Sequence, residues 1–310
     1  IGITIIIGIT SFYFVETKYY LLFIFFCIFK CQESLYEYYY AVYTKEKKFN
    51  EISKSQLIRT FQVFFFIIAT YITKSIEISV ISILVFNFFI LLKYKAKTAE
   101  GFVFNILELR KSLVISISAF LILIYLNVPR YFLSLEGFYN LGILAGLINI
   151  VTLARLLVQS VSQSMLPYLV SYTKSKDSNS FKKLYIKFSL LIIFAGLIGS
   201  GMISLLGSAP LVFIYGDDFE VKNIDIYLAV VYATVLCLAM LSNLAMTAMM
   251  KHVFQLWFSL LLLVLSLILS LWLVSTYLIS GVLVSLIAVS FTQYLVLNYR
   301  ILKELRHYEL

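Results

Sequence analysis

Charged residues are scarce in this sequence: Asp, Glu, Lys and Arg make up 13% of its 310 residues, and hydrophobic residues make up 62%. Soluble domains are about half apolar and about a quarter charged, so this composition excludes a typical soluble protein. The net charge of +9 is spread over short segments between apolar runs. A basic nucleic-acid surface is clustered instead, so we expect no nucleic acid as partner. The basic residues suit the anionic surface of a membrane.

Cysteine and histidine are also rare, with three and two residues. Cys27 and Cys31 share a helix face, but no second cysteine pair or nearby histidine completes a zinc site, so we predict packed free thiols. The sequence contains no HExxH motif, Gly-rich phosphate loop or Walker motif, which argues against zinc hydrolysis and ATP-driven transport. We therefore expect no metal, no cofactor and no enzymatic activity. The energy for transport would come from an ion gradient, the membrane potential or the gradient of the substrate.

What the sequence does contain is a series of long apolar runs. A membrane-spanning helix needs about 20 such residues, and these runs are too long and too continuous for barrel strands. We therefore predict an all-α polytopic membrane protein with about ten spans. They lie at residues 1–15 (a partial span), 19–43, 57–73, 76–94, 111–133, 138–165, 184–206, 224–248, 252–275 and 277–299.

The segments between the spans predict orientation and division into lobes. Most of the Lys and Arg residues fall in alternate loops, which the positive-inside rule places in the cytoplasm together with the C-terminus. The loop 96–110 is the predicted boundary between lobes 1–95 and 111–310. Ser171–Ser180 is the predicted flexible linker. The acidic loop 207–223 is predicted to lie outside.

Arg155 lies well inside a predicted span, where a charge costs about 2.5–3.5 kcal/mol on insertion scales and normally faces a polar interior. A helical wheel of 138–165 places it on one polar face. The other polar residues of this face are Asn149, Thr152, Gln159, Ser162 and Gln163. We predict that this face lines a wet cavity that binds something anionic. An interface in which polar side chains join two helices is the open alternative.

Arg130 lies near the end of the neighbouring predicted span, after Asn127 and Pro129. Proline lacks an N–H, so Pro129 leaves the carbonyl of Tyr125 without its helical donor and favours a kink. Such a break is tolerated at membrane depth only where protein or water supplies new partners. We predict that Arg130 lines the same cavity as Arg155. Snorkelling of Arg130 to the membrane surface remains the alternative.

A third charged cluster lies in the span 19–43. Lys30 and Glu33 are spaced to form an ion pair, and Glu33 and Glu37 share a helix face. A desolvated carboxyl there would titrate near neutral pH and suit proton or cation coupling. A purely structural ion pair is the alternative.

Several of these segments resemble one family. The segments Asn127–Leu133, Leu141–Ile143 and Ser162–Pro167 resemble the seventh and eighth helices of bacterial polysaccharide repeat-unit flippases of the Wzx type. Phe213–Phe219 resembles an outer turn of that family. These flippases belong to the superfamily of multidrug, oligosaccharidyl-lipid and polysaccharide exporters.

The resemblance implies a two-lobed fold of twelve helices, so that 1–95 would hold helices three to six and 111–310 helices seven to twelve, with an N-terminal truncation. It implies a monomer in the bacterial inner membrane that moves undecaprenyl-diphosphate-linked oligosaccharides to the outer leaflet for O-antigen or capsule synthesis. Membrane lipids, a polysaccharide polymerase and chain-length machinery are the other implied partners. The headgroup would be bound by Arg130, Arg155, Asn127, Asn149, Gln159 and Gln163.

Two other functions remain open. An ion-coupled exporter of drugs or metabolites would use Lys30, Glu33 and Glu37. A membrane-embedded polymerase or glycosyltransferase would need the acidic pair Asp217 and Asp218, for which a solvated turn is the favoured interpretation and a metal pair the alternative.

Overall fold

The chain is almost entirely helical wherever the computed structural model describes it, which is at residues 20–45, 49–95, 106–216, 219 and 221–309. The predicted partial span at 1–15 lies outside the described residues. So do residues 96–105 of the predicted inter-lobe loop, and Asp217 and Asp218.

The helices follow the predicted apolar runs closely. In chain order they are α1 (Tyr20–Lys45), α2 (Phe49–Thr73), α3 (Ile76–Lys95), α4 (Ile106–Glu136), α5 (Phe138–Ser175), α6 (Ser178–Leu206), the short α7 (Ala209–Tyr215), α8 (Asn223–Ala248) and α9 (His252–Glu309).

Helix α9 is broken at Leu278, whose φ of 51° is not helical. Its two halves coincide with the predicted spans 252–275 and 277–299. Among the described residues, α4, α5, α6, α8 and α9 are long and apolar enough to cross a membrane, which supports a multi-pass membrane protein. Helices α2 and α3 contain shorter apolar stretches. The total of ten spans stays a prediction.

The chain divides into two compact units, Ile1–Phe104 and Asn105–Leu310. In the first unit, α3 packs against both α1 and α2. A buried polar cluster joins them, because Gln62 donates a hydrogen bond to the Asn87 side chain and the Tyr36 hydroxyl donates to the Asn87 carbonyl. This cluster satisfies polar groups that the apolar surroundings would otherwise penalise.

The second unit is built around α8, the most buried of its helices. Helix α9 packs along both α4 and α8, and α5 and α6 lie against α8. The core therefore runs along α8, with large side chains such as Leu241 and Met246 fully enclosed. The helix faces that pack on this core are buried, so a binding site must use the other faces.

The predicted linker Ser171–Ser180 is wrong. Helix α5 continues to Ser175, and a two-residue turn leads directly into α6. Lys176 adopts a left-handed conformation with φ 56°, and the Asp177 side chain accepts a hydrogen bond from the Ser180 N–H at 3.0 Å. That bond caps α6 and lowers the pKa of the Asp177 carboxyl. Of the polar residues that suggested flexibility, Lys176 and Asp177 are the cap residues of α5 and α6, and the others lie within the two helices.

The segment predicted as an acidic loop, 207–223, is only partly a loop. It contains the short helix α7, which starts with Pro210 in its first turn and buries Leu211 against the core. Proline near a helix start costs little, because the first N–H groups have no partner within the helix.

Helix α4 continues through Pro129 to Glu136, beyond the predicted end at 133. The Tyr125 carbonyl, which Pro129 deprives of a donor, accepts a hydrogen bond from the Ser266 hydroxyl of α9 at 2.8 Å. Ser266 and Tyr125 are both fully buried. The sequence predicted that protein or water supplies a new partner at this proline, and here the protein supplies it.

Candidate functional site

A cavity of about 380 Å³ opens between α4, α5 and α8 within the second unit. Its charged and polar walls come from Asn127 and Arg130 on α4, and from Asn149, Thr152 and Arg155 on α5. Two predicted polar faces from different helices thus meet at one place. The rest of the wall is largely apolar, with Leu144 and Ile148 of α5 and Leu236 of α8 among its members.

The two arginines in this cavity have no acidic partner among the residues that the structure describes. Neither Arg130 nor Arg155 forms a salt bridge within the part of the chain that the structure describes. Arg155 is exposed, and the Nε atom of Arg130 is buried without a hydrogen-bond partner among the described residues. A guanidinium group offers five N–H donors in a planar fork that matches carboxylate and phosphate oxygens. The cavity therefore holds two positive charges that a bound anion would neutralise.

Buried polar contacts of Tyr125, five residues before Arg130, hold α4 against α9. The Tyr125 hydroxyl donates to Gln293 Oε1 of α9 at 2.9 Å, and the Ser266 hydroxyl donates to the Tyr125 carbonyl. Both contacts tie α4 to α9. The Arg130 side chain lines the cavity, and its Nε atom is buried. This arrangement favours the cavity over snorkelling as the interpretation of Arg130.

The two cavity asparagines use their side-chain amides differently. Asn127 Nδ2 donates to the Leu123 carbonyl of its own helix at 2.8 Å. Asn149 Nδ2 donates to the Tyr215 hydroxyl at 2.9 Å, which connects the cavity wall to the end of α7. Among the described residues neither amide oxygen accepts a hydrogen bond, so each offers an acceptor to a ligand.

Tyr215 and Phe219 form a stacked aromatic pair with ring centroids 4.7 Å apart. The Phe219 ring lies over Gly146 of α5, so closely that a Cβ atom there would come within 2.5 Å of it. The residues whose pattern suggested an outer turn thus pack on α5 beside the cavity. Their spacing gave no indication of this contact with α5.

Gln159 and Gln163 do not line the cavity, although both were predicted to do so. They lie one and two turns beyond Arg155 on α5, and both are exposed. A helical wheel gives the direction in which a side chain points but not its depth along the helix. Ser162, from the same predicted face, is buried beside a different cavity.

Tyr232 lines the cavity but was not predicted from the sequence to do so. It lies 2% exposed in α8 and lines the wall together with both arginines. Within an apolar span, one tyrosine carries no periodic signal that separates it from core packing. Only the fold shows that α8 is the third wall.

The third charged cluster is an ion pair within one helix of the first unit. Lys30 Nζ lies 2.7 Å from Glu33 Oε2, and the two side chains are 45% and 32% exposed. Lys30 also lies over the Phe26 ring. The predicted pairing is confirmed, whereas the predicted role in ion coupling, including that of exposed Glu37, stays a prediction.

The described part of the chain contains no group of three or more His, Cys, Asp and Glu side chains that would hold a metal ion. Cys27, Cys31 and Cys237 are free thiols, as predicted.

Two solved structures resemble the chain over almost its whole length. One is a mutant of the Vibrio cholerae MATE transporter VcmN, with a TM-score of 0.79 and 13% identity over 99% of this chain and 77% of that one. The chain has the fold of a MATE transporter. The other is a multidrug resistance MATE family transporter of the MOP superfamily in an outward-facing conformation, with a TM-score of 0.71 and 12% identity over 99% and 76% of the two chains.

No protein-family model matches the sequence, and no curated protein matches it. At 12–13% identity the likeness establishes a MATE-like fold and nothing finer. The fold is of the kind that the resemblance in the sequence implied. The MATE-like fold accommodates both the flippase and the drug-exporter hypotheses.

Proposed function

We propose that this protein is a membrane exporter that moves a lipid-linked oligosaccharide by holding its diphosphate in the cavity of Arg130 and Arg155. The observation that carries the proposal is the meeting of two arginines from different helices in one cavity, without an acidic partner among the described residues. A site for organic cations would need the opposite charge.

The positive charges of the two arginines compensate the negative charges of a diphosphate. A diphosphate does not cross hydrocarbon without an escort, because removing its charges from water is very costly. Arginine binds such groups through paired, charge-assisted hydrogen bonds. The amide oxygens of Asn127 and Asn149 add acceptors for the hydroxyl groups of an attached sugar.

The direction of transport has an electrical component. Moving a negative charge out of a cell that is negative inside gains about 2.3 kcal/mol per charge for each 100 mV. If the two arginines move with the headgroup, their charge cancels this gain. The net dependence of export on membrane potential therefore reports how far Arg130 and Arg155 travel.

A second candidate is an ion-coupled exporter of drugs or metabolites. It is favoured by the similar structure described as a multidrug resistance transporter. It would place coupling at Glu33 and Glu37 and would leave the arginine cavity for anionic cargo or for structure alone. The enzyme hypothesis depends on Asp217 and Asp218, which lie outside the described residues.

A reconstituted assay separates these functions. The purified protein is placed in liposomes that contain a fluorescent undecaprenyl-diphosphate-linked sugar, and a membrane-impermeant quencher reports the fraction in the outer leaflet. Translocation that is strongly reduced in Arg155→Ala and in Arg130→Ala supports the proposal. Lys174→Ala is the matched control, because Lys174 is an exposed basic residue in the last turn of α5, away from the cavity.

Three results would count against the flippase. Translocation in both arginine variants equal to wild type removes the site. No translocation by the wild-type protein, together with proton-dependent efflux of an organic cation that is lost in Glu33→Gln, supports the second candidate. Turnover of the lipid-linked sugar supports an enzyme.

A further inference from the structure

A second cavity, of about 330 Å³, lies between α5, α6 and α8. We call it the apolar groove. It includes Ala154 of α5, Ala195 and Gly196 of α6, and Thr234 and Cys237 of α8, and it contains no charged residue. It is distinct from the arginine cavity, with which it shares no lining residue.

Small residues of α6 pack closely against α8 beside the groove. Gly196 lies so close to Thr234 that an added Cβ atom would overlap its side chain, and a Cβ at Gly199 would meet Val230 Cγ1 at 3.3 Å. Small residues let two membrane helices approach closely. The groove lies beside that close approach, and its walls come from α5, α6 and α8.

Water is a poor occupant for this space. A buried water needs two to four polar partners, and the groove offers only Ser162, Thr234 and the Cys237 thiol. The Thr234 hydroxyl already donates to the Val230 carbonyl of its own helix at 2.9 Å. An empty apolar space would forfeit the packing contacts of its walls. The groove therefore requires an apolar guest.

The rim of the groove shows where that guest comes from. Leu157 of α5 and Leu191 of α6 are 72% and 57% exposed, and both belong to membrane-length helices. In a bilayer, exposed leucines on such helices contact acyl chains. The volume is at the lower end of the roughly 300–1,000 Å³ of ligand pockets, which suits a segment of one chain rather than a whole lipid.

We propose that the apolar groove binds one acyl chain of a bilayer phospholipid, wedged between α5 and α6. The guest is a bilayer lipid rather than the tail of a cargo held at the arginines. Consecutive residues of α5, Ala154 and Arg155, serve different cavities, and the packing of α5 on α8 separates them. The inference does not depend on the proposed function.

The test counts the lipids that stay with the protein. The full chain is purified in a mild detergent, and native mass spectrometry measures retained phospholipid. Ala195→Phe fills the groove from α6. The matched control is Ala119→Phe, which adds the same ring at an exposed position of α4 outside both cavities. We expect the loss of one retained phospholipid per protein in Ala195→Phe and no loss in Ala119→Phe.

Three outcomes would overturn the inference: an unchanged lipid count in Ala195→Phe, an equal loss in Ala119→Phe, or a retained polyprenyl phosphate in place of the phospholipid. Ala154→Leu, which fills the groove from α5, replaces Ala195→Phe if that variant does not fold. Because translocation is measured separately with the arginine variants, a failed lipid count leaves the proposed function intact.

Discussion

Replacing Ser266 with alanine should destabilise the second unit by an amount that depends on Pro129. The Ser266 hydroxyl gives the Tyr125 carbonyl the donor that Pro129 cannot supply, and the contact is fully buried. Leaving a buried carbonyl without a partner costs about 1–3 kcal/mol. In a Pro129→Ala background the N–H of residue 129 returns and bonds that carbonyl, so the cost of Ser266→Ala should fall. We expect a coupling energy of about 1–2 kcal/mol between the two substitutions.

The free energy of unfolding is measured by titrating the purified protein with a denaturing detergent and following its helicity. Ser270→Ala is the control. Ser270 is also fully buried on α9, but among the described residues its hydroxyl donates to the Ser266 carbonyl in its own helix and to no other group. Its cost should be smaller and independent of residue 129. Equal costs of Ser266→Ala in the wild-type and Pro129→Ala backgrounds would refute the argument that Ser266 compensates for the proline.

Two further substitutions test the packing around the site and the cap of α6. Gly146→Ala should lower the melting temperature, because its methyl group meets the Phe219 ring. Gly142→Ala, one turn earlier with no atom near its Cβ, should be neutral or stabilising; an equal effect of both would contradict the close approach. Asp177→Ala should lower the melting temperature at pH 7, because the hydrogen bond from Ser180 lowers the pKa of this carboxyl and so stabilises the fold above the ordinary pKa of about 3.9. The difference from wild type should shrink as pH falls below about 4, and a constant difference would show that the cap is not ionic.

The helices were predictable because membrane-length apolar runs leave few alternatives. An apolar stretch must hydrogen-bond its own backbone, so hydropathy alone located α4, α8 and the two halves of α9. The need of Pro129 for a new partner also followed from the sequence. The sequence did not show that Ser266 is this partner, because Ser266 is far away along the chain and serines within apolar helices are common.

The site was predictable in part, because a membrane also leaves few alternatives for a charged residue. An arginine inside a span must find polar surroundings, so Arg130 and Arg155 indicated a cavity. Their meeting in one cavity and the wall formed by Tyr232 depend on how α4, α5 and α8 pack, which no local pattern encodes. Gln159 shares the predicted face of Arg155 but does not line this cavity, and its role in binding stays a prediction. A flexible linker was predicted where the structure has a tight turn at Lys176 and Asp177. The error arose because capping residues and flexible linkers have similar compositions.

The central claim is that the cavity of Arg130 and Arg155 binds a diphosphate, and calorimetric titration of the purified protein with inorganic pyrophosphate tests it most directly. A hydrogen bond to a charged group contributes about 1.5–3 kcal/mol, and about 1.4 kcal/mol corresponds to a tenfold change in affinity. We expect Arg155→Ala to weaken pyrophosphate binding roughly tenfold to a hundredfold and Lys174→Ala to leave it unchanged. Equal affinity of the wild-type protein and Arg155→Ala would contradict it.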